Sequence, residues 1–188
     1  DYAEAYCGLG IALKNLGQTA DAVASFHRAL EIKPNYAEAH TDLGNALLEL
    51  GQLDDAVASY RRALEIKPDY AEAHSNLGNA LLELGQLDEA VASYRRALEI
   101  KPDYAIAHNN LANALRVLGQ LDSAAASCRL ALGIQPDYAD AHNNLGSVLQ
   151  ALGQFDGAIA SYRRALEIKP DYAEAYSNLG KALKDIGR

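Results

Sequence analysis

The chain has 188 residues, with 17 Lys and Arg against 25 Asp and Glu, a formal charge of −8, and no Trp or Met. An acidic, aromatic-poor surface repels phosphate backbones and anionic lipid, which argues against nucleic acid or membrane as a partner. No apolar run approaches a membrane span, no leader pattern opens the sequence, and the two cysteines, Cys7 and Cys128, point to a reduced, cytoplasmic setting.

The five prolines stand at 34, 68, 102, 136 and 170, a spacing of 34 residues that the whole sequence follows. A fixed period of this length marks a stacked array in which no unit buries its apolar face alone. The chain therefore reads as one array over 1–188, with units 1–34, 35–68, 69–102, 103–136 and 137–170 and a terminal half unit, 171–188.

Within unit 69–102, Asp69 and Glu72 have the spacing of a capping box at a helix start. Ala73, Leu77, Ala80, Leu81 and Leu84 then recur every three or four residues, and Gly85 is placed to end the helix. A second helix carries Asp88 and Glu89 in its first turn, where carboxylates suit the helix dipole. Its stripe is Leu87, Ala90, Val91, Tyr94, Ala97 and Leu98, and Lys101-Pro102 stops it. Short connections make each pair an antiparallel hairpin. No alternating run suggests a strand, so the expected class is all-α, with about eleven helices.

The residues His74-x2-Leu77-Gly78-x2-Leu81, then Ala90-x3-Tyr94, then Pro102 resemble the tetratricopeptide repeat, whose pattern is W-x2-L-G-x2-Y, A-x3-F and P in 34 residues. Two columns depart from it. The Trp position holds Tyr6, His40, His74, His108, His142 and Tyr176, and the following Tyr is replaced by Leu. The resemblance implies a right-handed α-solenoid, or superhelix, of antiparallel helix pairs. It also implies first helices lining a concave groove, and binding of a protein or peptide without catalysis or cofactor.

Away from the expected core, Glu72, Ser75, Asn76, Asn79 and Glu83 share one face of the first helix. Its asparagines recur as Asn45, Asn76, Asn79, Asn110, Asn113, Asn144 and Asn178. Asparagine is a poor helix surface residue, but its amide both donates and accepts, as a peptide main chain does. Layers about 10 Å apart match about three residues of extended chain at ~3.3 Å each. The column is thus a candidate ladder for an extended peptide. It is similar to the asparagine ladder in the repeat superhelix of O-linked N-acetylglucosamine transferases. The alternative is that these side chains cap, solvate or tie helices. Two further readings are the substrate-presenting arm of such a transferase, and a purely structural or designed array.

The acidic column Glu4, Glu38, Glu72, Asp140 and Glu174 suits basic peptides or, equally, capping boxes. The four histidines lie a layer apart, too far for two to share a zinc ion, and are expected to be packed. Cys128 falls in the aromatic column of Phe26, Tyr60, Tyr94 and Tyr162 and is expected to be buried. Cys7 falls in the Ser75 column and is expected to be exposed. Nucleophile, metal and phosphate-loop signatures are absent. Arg95, Arg96 and Glu99 read as a solvated outer face.

Units 35–68 and 69–102 differ at four positions only, whereas 103–136 departs most. Ile106 replaces the first-turn Glu, Arg116 and Val117 replace Leu82 and Glu83, and Leu130 replaces an arginine. Ile106, Arg116 and Val117 mark either a specificity pocket or drift after duplication. The terminal helix keeps an apolar stripe, Ala175, Leu179, Ala182, Leu183 and Ile186, only partly offset by Lys181, Lys184 and Arg188. This fits a fragment of a longer chain, or end-to-end self-association through uncapped terminal helices.

Overall fold

The computed structural model describes residues 2–187. Asp1 and Arg188, which bear on the reading of the two ends, lie outside the described residues. Eleven α-helices are present and, among the described residues, no strand. They fall into two compact units, 1–100 and 101–188. The first holds α1 (Tyr2–Asn15), α2 (Thr19–Ile32), α3 (Ala37–Glu49), α4 (Leu53–Ile66), α5 (Ala71–Glu83) and α6 (Leu87–Ile100). The second holds α7 (Ala105–Val117), α8 (Leu121–Ile134), α9 (Ala139–Ala151), α10 (Phe155–Ile168) and α11 (Ala173–Asp185).

Each odd helix ends as its glycine requires. Gly85 has φ +74°, its N–H reaches the Leu82 carbonyl at 3.0 Å, and the Gln86 N–H reaches that of Leu81 at 2.8 Å. This is a Schellman closure, which non-glycine side chains resist at positive φ.

Helix starts differ from the capping-box expectation. α5 begins after Tyr70, which makes no side-chain cap bond. Asp69 instead accepts from Arg96 Nη2 at 2.8 Å, and Arg96 Nη1 pairs with Glu99 at 3.0 Å. The same lattice joins Arg62 to Asn35 and Glu65, and Arg164 to Asp137 and Glu167. A cation 27 residues away outcompetes the local backbone for the Asp69 carboxylate. These pairs are exposed, so solvent screening leaves each of them little effect on stability.

Inside four of the five helix pairs, one glycine faces one ring. A Cβ built on Gly44, Gly78 or Gly146 would lie 2.6 Å from Cε1 of Tyr60, Tyr94 or Tyr162, and one on Gly10 would meet Phe26. Those rings are essentially fully buried, so glycine here leaves space for an aromatic ring. Unit 103–136 solves the same problem the other way: Ala112 replaces the glycine and fully buried Cys128 replaces the ring. Burial pushes the Cys128 thiol up to about 12.

The histidine column is only partly packed: His108 is buried, whereas His40, His74 and His142 are half-buried. His40, His74, His108 and His142 each place Nε2 2.9 Å from the carbonyl of Pro34, Pro68, Pro102 or Pro136. A carbonyl only accepts, so Nε2 carries the proton and each imidazole straps its first helix to the preceding linker. The terminal α11 turns its stripe inward: Ala182 is buried and Leu179, Leu183 and Ile186 pack on Leu149, Ile159 and Tyr162.

Candidate functional site

The asparagine face is more deeply built into the protein than a solvated groove lining. Asn45 is half-buried, and its Oδ1 accepts from Tyr60 O–H at 2.8 Å and from Asn76 Nδ2 at 2.9 Å. Asn79 Oδ1 likewise accepts from Tyr94 O–H at 2.8 Å. In the second unit, Asn144 Nδ2 donates to Asn109 Oδ1 at 2.9 Å and Asn178 Nδ2 to Asn143 Oδ1 at 3.1 Å. Asn143 Nδ2 in turn reaches Glu174 at 3.2 Å. Asn110 is half-buried and engaged as well. The amides therefore tie first helices of successive layers, and in the first compact unit they also anchor tyrosine hydroxyls.

That second role explains a pairing visible along the chain. Tyr60 faces Asn45 and Tyr94 faces Asn79, whereas the hydroxyl-free Phe26 belongs with Ile11. Tyr162 O–H finds Ser147 Oγ at 3.2 Å and Gln150 Oε1 at 3.0 Å. Asn113 has no tyrosine opposite it, because Cys128 stands there; Arg116 Nη2 donates to its Oδ1 at 2.9 Å instead. Ala112, Cys128 and Arg116 are thus one coupled set of changes.

From α1 to α9 the Ser75 column does not face outward, and only Ser177 on the terminal α11 is exposed. Ser75 and Asn143 are each 1% exposed, and Thr41 and Asn109 are also buried. Thr41 Oγ1 donates to the Ala37 carbonyl at 3.0 Å. Small side chains at this column let adjacent first helices meet, and the longer Asn109 and Asn143 serve as acceptors there. The expectation of an exposed Cys7 fails for the same reason. Cys7 is 4% exposed, its Sγ lies 3.7 Å from Asp42 Oδ2, and burial, with the Asp42 charge, pushes the thiol up to about 11. Asp42 is itself raised, chiefly by desolvation.

The rest of the face is exposed. Glu38 meets Lys67 at 3.1 Å, and a hydrogen bond from its own backbone N–H, opposed by some burial, helps hold its carboxyl below the usual range. On α7, Ile106 and Val117 are 48% and 51% exposed, on one face with Asn110 and Asn113. Arg116 is half-buried. Two concavities lie elsewhere: about 460 Å³ at Gly153–Gly157 and Ile186, and about 340 Å³ around Val23, Leu43, Leu47 and Ser59. Among the described residues no group of three His, Cys, Asp or Glu is arranged to hold a metal ion, and no helix is long and apolar enough to cross a membrane.

No curated protein sequence matches the chain. Solved structures do. PilW, a widely conserved type IV pilus biogenesis factor, is 26% identical with a TM-score of 0.91, over 98% of this chain and 86% of its own. TTC0263, a thermophilic TPR protein of Thermus thermophilus, is 27% identical with a TM-score of 0.78, over 97% and 99%. YrrB, described as a TPR protein with an unusual peptide-binding site, shares the fold at 24% identity and a TM-score of 0.73, over 92% and 89%. The TPR repeat profile matches residues 44–85, 78–116, 112–153 and 150–187, and a tetratricopeptide repeat profile matches 15–59. With the 34-residue period, the paired helices and the glycine–ring contacts in place, the chain belongs to the tetratricopeptide repeat family, whose fold is typically a non-catalytic scaffold for protein interactions.

Proposed function

We propose that the chain binds an extended peptide or partner segment along the asparagine face of its first helices, with side-chain amide N–H groups donating to the segment's carbonyls. The observation that carries this reading is the polarity of Asn45. Its Oδ1 already accepts two hydrogen bonds, and its Nδ2 has no partner among the described residues. At this residue the protein consumes the acceptor and leaves the donor. An extended main chain presents carbonyls that match such donors without regard to side-chain sequence.

The helix-tying role of the same amides dictates the test. Asn45→Asp and Asn79→Asp keep an oxygen for the Tyr60 and Tyr94 hydroxyls and for Asn76 while deleting the Nδ2 donors. Capture of a pool of randomised synthetic peptides by the wild-type chain should fall in the double variant, with the thermal midpoint largely kept. Undiminished capture by a folded double variant contradicts the proposal.

A further inference from the structure

The concavity of about 340 Å³ is formed by α2, α3 and α4, wholly within the first compact unit. Buried Leu43 and Leu47 make an apolar floor with half-buried Val23 beside them, and exposed His27, Gln52 and Asp55 line the polar side. One period further along, Arg61 and Glu89 hold the positions of His27 and Asp55. There Arg61 Nη2 reaches Glu89 Oε2 at 2.9 Å and ties α4 to α6.

Both members of that pair are shorter in the first layer. Among the described residues, neither His27 nor Asp55 takes part in an ion pair. Ser59 Oγ, also at the groove, donates to the Asp55 main-chain carbonyl and not to its carboxylate. The next layer shows what such a place accepts: a guanidinium that meets a carboxylate across two second helices. A guanidinium is flat and weakly hydrated, so its faces suit Val23, Leu43 and Leu47 and its fork suits the Asp55 carboxylate. A lysine ammonium is a compact, strongly hydrated charge without that fork. The excess of 25 Asp and Glu over 17 Lys and Arg favours the approach of a basic partner.

We infer that this groove receives an arginine side chain of a partner protein, which stands where Arg61 stands in the next layer and pairs with Asp55. Because His27, Gln52 and Asp55 are exposed, the side chain enters while its main chain stays outside. The groove opens between α2 and α4, so the inference does not rest on the peptide-binding reading of the asparagine face.

The isotope-labelled full chain is titrated with a capped alanine peptide carrying one arginine, and the Leu43 and Leu47 methyl and His27 ring resonances are followed by NMR. Counterparts carrying lysine or the neutral isostere citrulline, and free arginine, serve as comparisons. The arginine peptide should shift these resonances saturably, and the lysine and citrulline peptides should bind at least about threefold more weakly. His27→Arg restores the residue of the next layer and supplies Asp55 with an internal guanidinium, so it should abolish the shifts. Asp55→Asn keeps the shape of the groove and should weaken binding by at least about threefold. Free arginine should bind no more tightly than the capped peptide; tighter binding would make this a small-molecule site and overturn the inference. Shifts that persist in His27→Arg, equal binding of the citrulline peptide, or no saturable shift in the wild type also overturn it. None of these results bears on the Asn45 and Asn79 amides, which report the asparagine face separately.

Discussion

Replacing Gly78 by alanine should change sign according to what stands at position 94. A Cβ on Gly78 falls 2.6 Å from Tyr94 Cε1 and within 2.9 Å of two further ring atoms. The ring is fully buried and its hydroxyl is held by Asn79, so it has no room to retreat. Overpacking of this kind costs about 1–3 kcal/mol, while alanine returns about 1 kcal/mol of helix propensity over glycine. The net for Gly78→Ala is a loss on the order of 1 kcal/mol. Tyr94→Cys alone leaves a cavity and removes the hydroxyl that donates to Asn79, and should cost about 3–5 kcal/mol, as large-to-small changes of buried aromatics do. In that background the clash is gone, so Gly78→Ala becomes stabilising by up to about 1 kcal/mol. Ala112 and Cys128 are this solution already present in the chain. Urea denaturation of the four proteins, followed by circular dichroism, gives the coupling. Additive effects would refute the claim that glycine is there for the ring.

Desolvation lowers the pKa of His40 and His74, against the opposing hydrogen bond to Pro34 or Pro68. The unfolded chain then binds more protons than the folded one, so the stability is present above the ordinary histidine pKa near ~6.5 and is lost as pH falls below it. The thermal midpoint should drop on acidification below that value, and less so in a His40→Gln, His74→Gln double variant. An equal drop in both proteins would contradict the assignment. Cys7 and Cys128 should resist a thiol reagent at neutral pH until the chain is unfolded, because both are buried with raised thiol pKa. Rapid labelling of native Cys7 would show that its column is open after all. Asp69→Ala should cost no more than about 0.5 kcal/mol, the worth of an exposed ion pair. A loss near the ~1 kcal/mol of a helix cap would favour the local cap over the bond to Arg96.

Features governed by neighbours along the chain were legible in the sequence. The helix pairs follow from three- and four-residue spacing, the Gly85 closure from glycine's freedom at positive φ, and the burial of Cys128 from its place among Phe26, Tyr60, Tyr94 and Tyr162. What escaped depends on neighbours in space. Asp69 has the spacing of a cap, but Arg96, 27 residues on, takes it. A single helical wheel puts Ser75 and Cys7 on the outer face because it does not show that first helices of successive layers touch through that column. The site was partly legible: Asn45, Asn76 and Asn79 recur visibly. Their engagement with Tyr60, Tyr94 and each other becomes apparent only once the second helix is folded back. The signal that was available is the pairing of Tyr with Asn and of Phe26 with Ile11, fifteen residues apart within each unit.

The central claim concerns which amide protons meet a ligand, and side-chain amide NMR observes them directly. On adding peptides selected from the randomised pool to isotope-labelled protein, the Asn45 Nδ2 resonances should shift in a saturable manner. The Tyr60 hydroxyl that holds its oxygen should stay in place, and Asn45→Asp should weaken binding. Saturable peptide binding that leaves the Asn45 and Asn79 side-chain amides unperturbed would contradict the account.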